Sequence, residues 1–233
     1  MRARCWVGAA LLSSLIGCGD AEGTSKSTSL AAPPQRAFAA TTVLAIGERE
    51  VSAAEVDRVA KWIEQLYPQS ADAHNRRRAL TSVLLPRIAL AEAHRAAHGE
   101  ARERAQAARA QLAAGRAPAE LTVREASGTW GPLGLEIFGP AHELALDAWS
   151  EPLEGLGRLL LVRVREKSGG PELGAVVLRV EIAEFPFVPE GSTQETIDRD
   201  IDTQTLVIVD PTWEQYVPLA WQHRLHGYLR NMK

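Results

Sequence analysis

Apolar residues recur at helical spacing over the first half of the chain, and local signals mark where those helices begin and end. The Ser-x-x-Glu motif of Ser52 and Glu55 is a capping box, which predicts that a first helix starts there. Pro68 predicts the end of that helix, because proline cannot continue it. A second helix is predicted over residues 71–98, with Pro86 kinking or splitting it.

Three further helices are predicted from composition and spacing. Residues 101–114 are rich in Ala, Arg, Gln and Glu, and Gly115 stands where a helix C-terminus favours glycine. Residues 140–149 predict a short helix with proline in its first turn. Residues 212–230 carry apolar side chains at helical spacing. They predict an amphipathic C-terminal helix that packs against the first helices.

Shorter apolar or alternating runs predict strands. These runs are residues 43–46, 159–164, 175–188 and 205–209. The segment Gly-Thr-Trp-Gly-Pro-Leu-Gly at residues 128–134 predicts a glycine-rich turn. Helices and strands together predict an α+β fold.

The N-terminus has the pattern of a secretory signal. Arg2 and Arg4 precede an uncharged, apolar stretch over residues 6–16, which is too short to span a membrane. The run Leu-Ile-Gly-Cys that ends at Cys18 resembles a bacterial lipobox. We therefore expect residues 1–17 to be a lipoprotein signal peptide and Cys18 to carry the lipid. The alternative is an ordinary signal peptide with a chance cysteine.

The next segment is typical of a tether. Residues 18–41 are dominated by Ser, Thr, Ala, Gly and Pro, which predicts a lipidated flexible linker. Gly19 follows Cys18 where an inner-membrane retention signal of enteric bacteria would have Asp. We therefore expect the protein in the bacterial cell envelope, anchored through its N-terminal lipid to the outer membrane and facing the periplasm.

Composition narrows the function classes. The 233 residues are 45% hydrophobic and 24% charged, with a net charge of −3, which excludes wholesale disorder and gives no sign of nucleic-acid binding. Two cysteines cannot form a disulfide scaffold or a four-cysteine zinc site. Residues 71–116 carry an excess of arginine and residues 181–212 an excess of acid. Such surfaces are solvated or face each other, or the basic one binds acidic clients or lipid headgroups.

Histidines give only a weak metal signal. His94 and His98 lie four residues apart and would share a helix face, as would His223 and His226 at a spacing of three. A metal site needs a third ligand, which no pattern in the sequence supplies. We assign neither a metal nor a cofactor and interpret these histidines as exposed or capping side chains.

A family resemblance joins the first predicted elements. Residues 42–58 resemble the start of SurA-like periplasmic chaperones, where a short strand, a Gly-Glu turn and a capped helix open the chaperone domain. Residues 76–85 and 91–93 are similar to the next helices of that domain. The resemblance implies a helical chaperone-like module over residues 42–100, on which the last helix packs back.

The following region resembles a parvulin-type (PpiC-type) peptidyl-prolyl cis-trans isomerase. Residues 107–115 match its first helix, residues 128–134 stand where it has Gly-Gly-Asp-Leu-Gly, and residues 157–164 match its last strand. The resemblance implies a reduced parvulin-like module over residues 101–190. Residues 191–233 then form an acidic loop, a strand and the C-terminal helix.

The chain departs from the parvulin pattern where catalysis would occur. Leu159 occupies the place of the last-strand histidine, and Pro140 and Leu144 stand where the proline pocket would have Met and Phe. No histidine-bearing strand precedes the first helix of the module, although residues 175–188 are a candidate for the missing strand. We therefore assign no catalytic residue and expect isomerase activity to be weak or lost.

The sequence thus predicts a peptide-binding chaperone or foldase of the envelope. Its partners would be unfolded or extended polypeptides, bound by apolar side chains in a groove between the modules, with main-chain pairing at a strand edge. The candidate binding residues, for which the alternative is a place in the core, are Trp130, Leu133, Phe138, Leu144 and Trp149. An active peptidyl-prolyl isomerase and a non-catalytic subunit of an envelope complex are the alternative functions. The oligomeric state stays open.

Overall fold

The computed structural model describes residues 36–116, 118–119, 121–218, 221 and 229–230. The predicted signal peptide, Cys18 and most of the predicted linker lie outside this part of the chain. No helix within the described residues is both long and apolar enough to cross a membrane.

A small sheet joins the start of the described chain to its end. Its central strand β1 (Thr42–Ile46) is buried along its whole length. It pairs in antiparallel fashion with β2 (Arg49–Ser52) and with β7 (Leu206–Ile208). The two-residue strand β8 (Leu229–Arg230) pairs in parallel with β7. The predicted strands at residues 43–46 and 205–209 are confirmed, and their apolar side chains bring distant parts of the sequence together.

Helix α1 (Ala53–Leu66) begins and ends as predicted. The hydroxyl of Ser52 accepts a hydrogen bond from the Glu55 amide at 3.2 Å. In a complete capping box the Glu55 carboxylate would accept a hydrogen bond from the Ser52 amide. Here it accepts one from the Arg49 guanidinium at 2.7 Å. The helix ends just before Pro68.

The second predicted helix consists of three segments. They are α2 (Asp72–Arg78), a π-helical segment (Ala79–Leu84) and α3 (Leu85–Ala93). The wider π turn lies immediately before Pro86, which has no amide hydrogen to donate to the preceding turn. The predicted irregularity at the proline is thus confirmed. The predicted continuation to residue 98 is wrong, because the backbone leaves the helical conformation at His94.

Helix α4 (Arg95–Ala113) starts at Arg95 rather than at the predicted residue 101. Its C-terminus is the predicted one. Gly115 has a positive φ of 72°. The Arg116 amide donates to the Gln111 carbonyl at 2.9 Å, which completes a Schellman motif. The predicted module boundary at residue 100 therefore falls inside a continuous helix.

A second, antiparallel sheet follows. Its strands are β3 (Val123–Gly128), β4 (Leu153–Glu154), β5 (Arg158–Gly169) and β6 (Val176–Pro186), in the order β3-β6-β5-β4. The predicted strands at residues 159–164 and 175–188 are confirmed as β5 and β6. The sequence did not predict β3 and β4, because β3 is mostly exposed and has no apolar run, and β4 is only two residues long.

Two helices replace the predicted glycine-rich turn and the helix predicted over residues 140–149. They are the one-turn helix α5 (Trp130–Leu133) and α6 (Leu135–Glu143). Gly134 stands between them at φ 78°, a conformation that favours glycine. Pro140 lies inside α6 rather than in its first turn. The prediction was wrong because it followed the usual position of proline, whereas the positive φ of Gly134 starts the helix earlier.

The C-terminal region also differs from the prediction. Helix α7 (Gln194–Asp202), capped by Thr193, lies in the predicted acidic loop. The prediction of an α-helix over residues 212–230 is wrong near both of its ends, which lie within the described residues. A 3-10 helix spans Pro211–Tyr216, and β8 lies at the other end. Proline and an Asp N-cap favour a short turn here, since the Asp210 carboxylate accepts from the Thr212 amide at 2.9 Å.

The 3-10 helix packs on α2, whereas the notion of a C-terminal α-helix packing on the first helices stays a prediction. Arg76 of α2 lies over the ring of Trp213 and donates to the Tyr216 hydroxyl at 3.3 Å. Arg77 donates to the Gln215 carbonyl at 2.9 Å. Trp213 itself is buried. The contact is thus built from arginines of α2 and aromatic rings of the 3-10 helix.

The core has two parts, one on each face of β5. Leu159 and Leu161 belong to a larger cluster with the first sheet and helices α1, α3 and α4. Leu160, Val162 and Val164 belong to a smaller cluster with α5, α6 and β6. Successive residues of a strand point to opposite faces, so this alternation buries β5 on both sides. The fold is mixed α+β.

Candidate functional site

The five candidate binding residues are placed mostly in the core. Trp130, Leu133, Phe138 and Leu144 all belong to or pack on the smaller cluster, where Phe138 is completely buried. Trp149 belongs to the larger cluster, beneath the Arg163 guanidinium at 4.9 Å. The structure therefore brings four of them together and separates the fifth. Trp130 and Leu144 are partly buried and the other three are buried, and the binding role of all five stays a prediction.

An open concave surface lies between the helices instead. A cavity of about 450 Å³ is bounded by α1, the π-helical segment, α3, α4, α6 and β4. We call it the interhelical groove. Its apolar lining includes Val59, Trp62, Val83, Ile88, Ala91 and Leu153. Helices α1 and α3 belong to the predicted helical module, and α6 and β4 belong to the predicted parvulin-like module. A groove between these two parts is where the sequence predicted peptide binding.

Trp62 fixes α1 against α6 at the wall of the groove. Its indole nitrogen donates to the Glu143 carboxylate at 2.8 Å, and its ring meets His142 edge to face at 6.4 Å between ring centres. Gly139 allows this approach, because a Cβ atom there would collide with the indole ring. The two helices therefore hold a large aromatic side chain in a defined position beside the cavity.

Arg87 places a charge within the apolar lining. Its side chain is only 12% exposed, and one guanidinium nitrogen lies 3.2 Å from a carboxylate oxygen of Glu136 on α6. Burial lowers the pKa of Arg87 from its ordinary value, and the carboxylates of Glu136 and Glu154 oppose that effect. Arginine nevertheless remains charged in proteins. The groove thus contains a largely buried cation.

Glu154 of β4 forms the other charged part of the lining. It accepts hydrogen bonds from Arg102 and from His98, the latter at 3.0 Å, and both donors lie on α4. His98 also meets Phe187 edge to face at 5.0 Å. These contacts attach the short strand β4 to α4 and bring the carboxylate close to the groove.

The charges around the groove are unevenly paired. Four arginines and four glutamates line it, namely Arg49, Arg58, Arg87, Arg102, Glu55, Glu92, Glu136 and Glu154. Every one of these carboxylates forms an ion pair with an arginine. Arg58, in contrast, is exposed and makes no ion pair or side-chain hydrogen bond with any described residue. Arg58 is therefore the arginine of the lining that has no ion-pair partner among the described residues.

The histidines do not form a metal centre within the described residues, where no group of three or more His, Cys, Asp and Glu side chains has suitable geometry. His94 pairs with Asp200 of α7 at 2.9 Å, and His98 pairs with Glu154. His223 and His226 lie outside the described residues. His94 and His98 therefore connect elements of the fold through carboxylates.

The sequence prediction missed the polar residues of the groove. Arg87 did carry a signal, because it follows Pro86 as a lone charge within the apolar run Leu-Leu-Pro-Arg-Ile-Ala-Leu. When an apolar run packs into the core, a charged residue within it is buried as well. A buried charge needs an oppositely charged or hydrogen-bonding partner. Glu136 and Glu154 carried no comparable signal, since their role depends on helices and strands far away in the sequence.

Comparisons with protein-family models, with curated proteins and with solved structures found no match to this chain.

Proposed function

We propose that this protein binds apolar segments of unfolded or extended polypeptides in the interhelical groove, as a lipid-anchored chaperone or foldase of the bacterial envelope. The observation that carries this proposal is the groove itself, which combines a volume of about 450 Å³ with a mainly apolar lining. Pockets that bind ligands are typically of this size and lining, with a few polar groups that orient the ligand.

The groove has the chemistry that an unfolded chain needs. Burying one large apolar side chain contributes about 1.5–3 kcal/mol. Val59, Ile88 and Trp62 provide apolar surface on two walls. The arginines and glutamates around them supply polar partners for the backbone of a bound peptide. The groove is therefore suited to a few residues of chain with an apolar side chain between them.

The second sheet supports the resemblance to a reduced parvulin-like module. Strand β6 pairs with β3 on one side and with β5 on the other. In this proposal β6 supplies the strand that the resemblance lacks, for which residues 175–188 were the candidate. Leu159, which stands in the place of the last-strand histidine, is completely buried. Both observations favour a peptide-binding module whose isomerase activity is weak or lost.

A substitution that fills the groove tests the binding proposal. Ala54 is exposed on α1 and lines the groove, so Ala54→Trp blocks it without changing the core. We expect this variant to bind labelled apolar peptides at least about tenfold more weakly than the wild type, and to suppress aggregation of an unfolded client less well. Ala107→Trp, at an exposed position of α4 away from the groove, is the matched control. Unchanged binding by a folded Ala54→Trp variant contradicts the proposal.

The lipid anchor has a separate test. Replacing Cys18 with Ser removes the sulfur that would carry the lipid. We expect the variant to move from the membrane fraction to the soluble periplasmic fraction, while the wild type stays with the outer membrane. A Cys5→Ser variant is the control for loss of a cysteine. A Cys18→Ser protein that remains in the membrane fraction contradicts the anchor.

A further inference from the structure

The cation at the wall of the groove is incompletely paired. The guanidinium of Arg87 has five N–H donors, and its ion pair with Glu136 engages one nitrogen at 3.2 Å. Arg87 lines the cavity while its side chain is only 12% exposed. A carboxylate that entered the groove would therefore meet donors that water reaches poorly, where charge-assisted hydrogen bonds are strong.

A second arginine faces the same cavity from another helix. Arg58 lies on α1, whereas Arg87 lies on α3, and both line the groove. Arg58 has no ion-pair or hydrogen-bond partner within the described part of the chain. The carboxylates of the lining are already paired with other arginines or with Arg87 itself. The lining thus offers two guanidinium groups with free donors, Arg58 without an ion pair and Arg87 with one.

The size of the cavity restricts how a peptide presents that group. A volume of about 450 Å³ is near the lower end for ligand pockets and holds only a few residues. If the acidic side chain lay in the middle of a peptide, the backbone would continue over the apolar lining on both sides of it. Its amides would find no hydrogen-bond partner there, which costs free energy. A chain end brings one backbone segment and a carboxylate together, so it fits both the volume and the charge.

We propose that the interhelical groove recognises the C-terminal carboxylate of a polypeptide. The carboxylate pairs with Arg87 and Arg58, and the last apolar side chain packs against Trp62, Val59 and Ile88. This inference rests on the proposed function, because it specifies which part of an unfolded chain the groove binds.

Three labelled peptides test it with the full mature protein. All carry a dye at the N-terminus and end in Leu-Phe. One has a free terminal carboxylate, one has an amidated terminus, and one has an amidated terminus with an internal Glu. Fluorescence anisotropy gives the Kd of each. We expect amidation to weaken binding at least about tenfold, as for loss of a charge-assisted hydrogen bond, and the internal Glu not to restore it.

Variants then connect the effect to the two arginines. Arg58→Gln and Arg87→Gln should each weaken binding of the free-acid peptide by a larger factor than binding of the amidated peptide. Arg116→Gln, an exposed position just after α4, should change neither Kd. Should Arg87→Gln fail to fold, Arg58→Gln carries the test, because Arg58 is exposed and its removal uncovers no core.

The possible outcomes separate this inference from the proposed function. Equal Kd values for the free-acid and amidated peptides, with both weakened by Ala54→Trp, contradict carboxylate recognition and leave peptide binding in the groove intact. Binding of every peptide that is unaffected by Ala54→Trp contradicts the proposed function as well. Displacement of the peptides by a long-chain fatty acid at lower concentration identifies a lipid carboxylate as the occupant and also overturns the inference.

Discussion

The smaller hydrophobic cluster and the interhelical groove share helix α6, yet the cluster is filled and the groove is open. Ile137, Phe138 and Ala141 of α6 are buried in the cluster. Glu136 and Pro140, one helical turn apart, line the groove. Residues spaced by three or four share a helix face, so one short helix presents a packing face and a ligand-accessible face.

The difference between the two regions follows from what α6 meets on each side. In the cluster it packs against β5 and β6, whose inward side chains are all apolar. Across the groove it meets α3 through the ion pair of Arg87 and Glu136. Two long charged side chains keep facing helices from packing as closely as small apolar ones would. An aromatic-rich segment therefore does not mark a binding surface by itself. Whether such a segment packs into the core or borders an open groove depends on the elements that it faces.

The largest expected effect tests whether Phe138 belongs to the core or to the binding site. Phe138→Ala removes a completely buried ring from the smaller cluster, and we expect it to lower the free energy of unfolding by about 3–5 kcal/mol. Urea unfolding gives this value, and peptide anisotropy on the folded protein should show an unchanged Kd. A Phe138→Ala protein of normal stability that no longer binds peptide would instead restore Phe138 as a binding residue.

A second substitution tests the close packing of α1 on α6. Gly139→Ala places a Cβ atom against the ring of Trp62, and we expect a loss of about 1–3 kcal/mol in the free energy of unfolding. Gly131→Ala is the control, since a Cβ atom there would have no neighbour within 4 Å. Thermal or urea unfolding compares the two. Equal stabilities would mean that the indole ring does not lie against this face of α6.

The ion pair across the groove can be tested by a double-mutant cycle. Glu136→Gln leaves the largely buried charge of Arg87 without its ion pair, and we expect a loss of about 1–3 kcal/mol. The double variant Arg87→Met, Glu136→Gln should recover most of that loss, because it removes the buried charge as well. If the losses in the free energy of unfolding caused by the two substitutions simply add in the double variant, as measured by urea unfolding, the two side chains do not interact.

The smallest expected effect concerns the second sheet and pH. Burial raises the pKa of Glu184, but hydrogen bonds from Arg158 and Arg124 outweigh it, so the pKa lies below its ordinary value in the folded protein. A carboxylate with a lowered pKa stabilises the fold above its unfolded-state pKa, and this contribution is lost as the pH falls through the folded-state pKa. Glu184 therefore stabilises the second sheet at neutral pH and contributes less in acid.

Glu184→Gln measures this contribution. We expect it to lower the free energy of unfolding by up to about 1 kcal/mol at about pH 7, and the difference from wild type to shrink at about pH 3. Glu172→Gln, at an exposed position in the turn before β6, is the control and should show no such pH dependence. A difference for Glu184→Gln that is constant across this range contradicts an ionic origin.

Local signals in the sequence predicted the elements that are stabilised locally. The start of α1 was predictable because the Ser52 hydroxyl accepts a hydrogen bond from the Glu55 amide, three residues later. The end of α4 was predictable from Gly115. Strands β5 and β6 were predictable because β5 contains an apolar run and β6 alternates apolar with charged residues. Strand β3 was not, since its pairing with β6 stabilises it and its mostly exposed residues form no apolar run.

The groove depends on the tertiary fold and was only partly predictable. The sequence placed it between two parts of the chain, but it assigned the binding to Phe138 and Trp149, which are buried. The charged lining combines α1, α3, α6 and β4, which lie far apart in the sequence. No local pattern indicates that Arg87 and Glu136 meet, because that contact depends on how α3 and α6 pack.

The position of β1 has a mechanical consequence. The chain enters the fold at Thr42, at the end of a strand with antiparallel neighbours on both sides. A pull on the preceding segment acts along β1, so it loads the hydrogen bonds to β2 and β7 together, in shear, and cannot break them one at a time. The Glu50 carboxylate adds hydrogen bonds to the Ala39 amide and the Thr42 hydroxyl at this point. Force applied to the chain just before Thr42 is therefore opposed by both neighbours of β1.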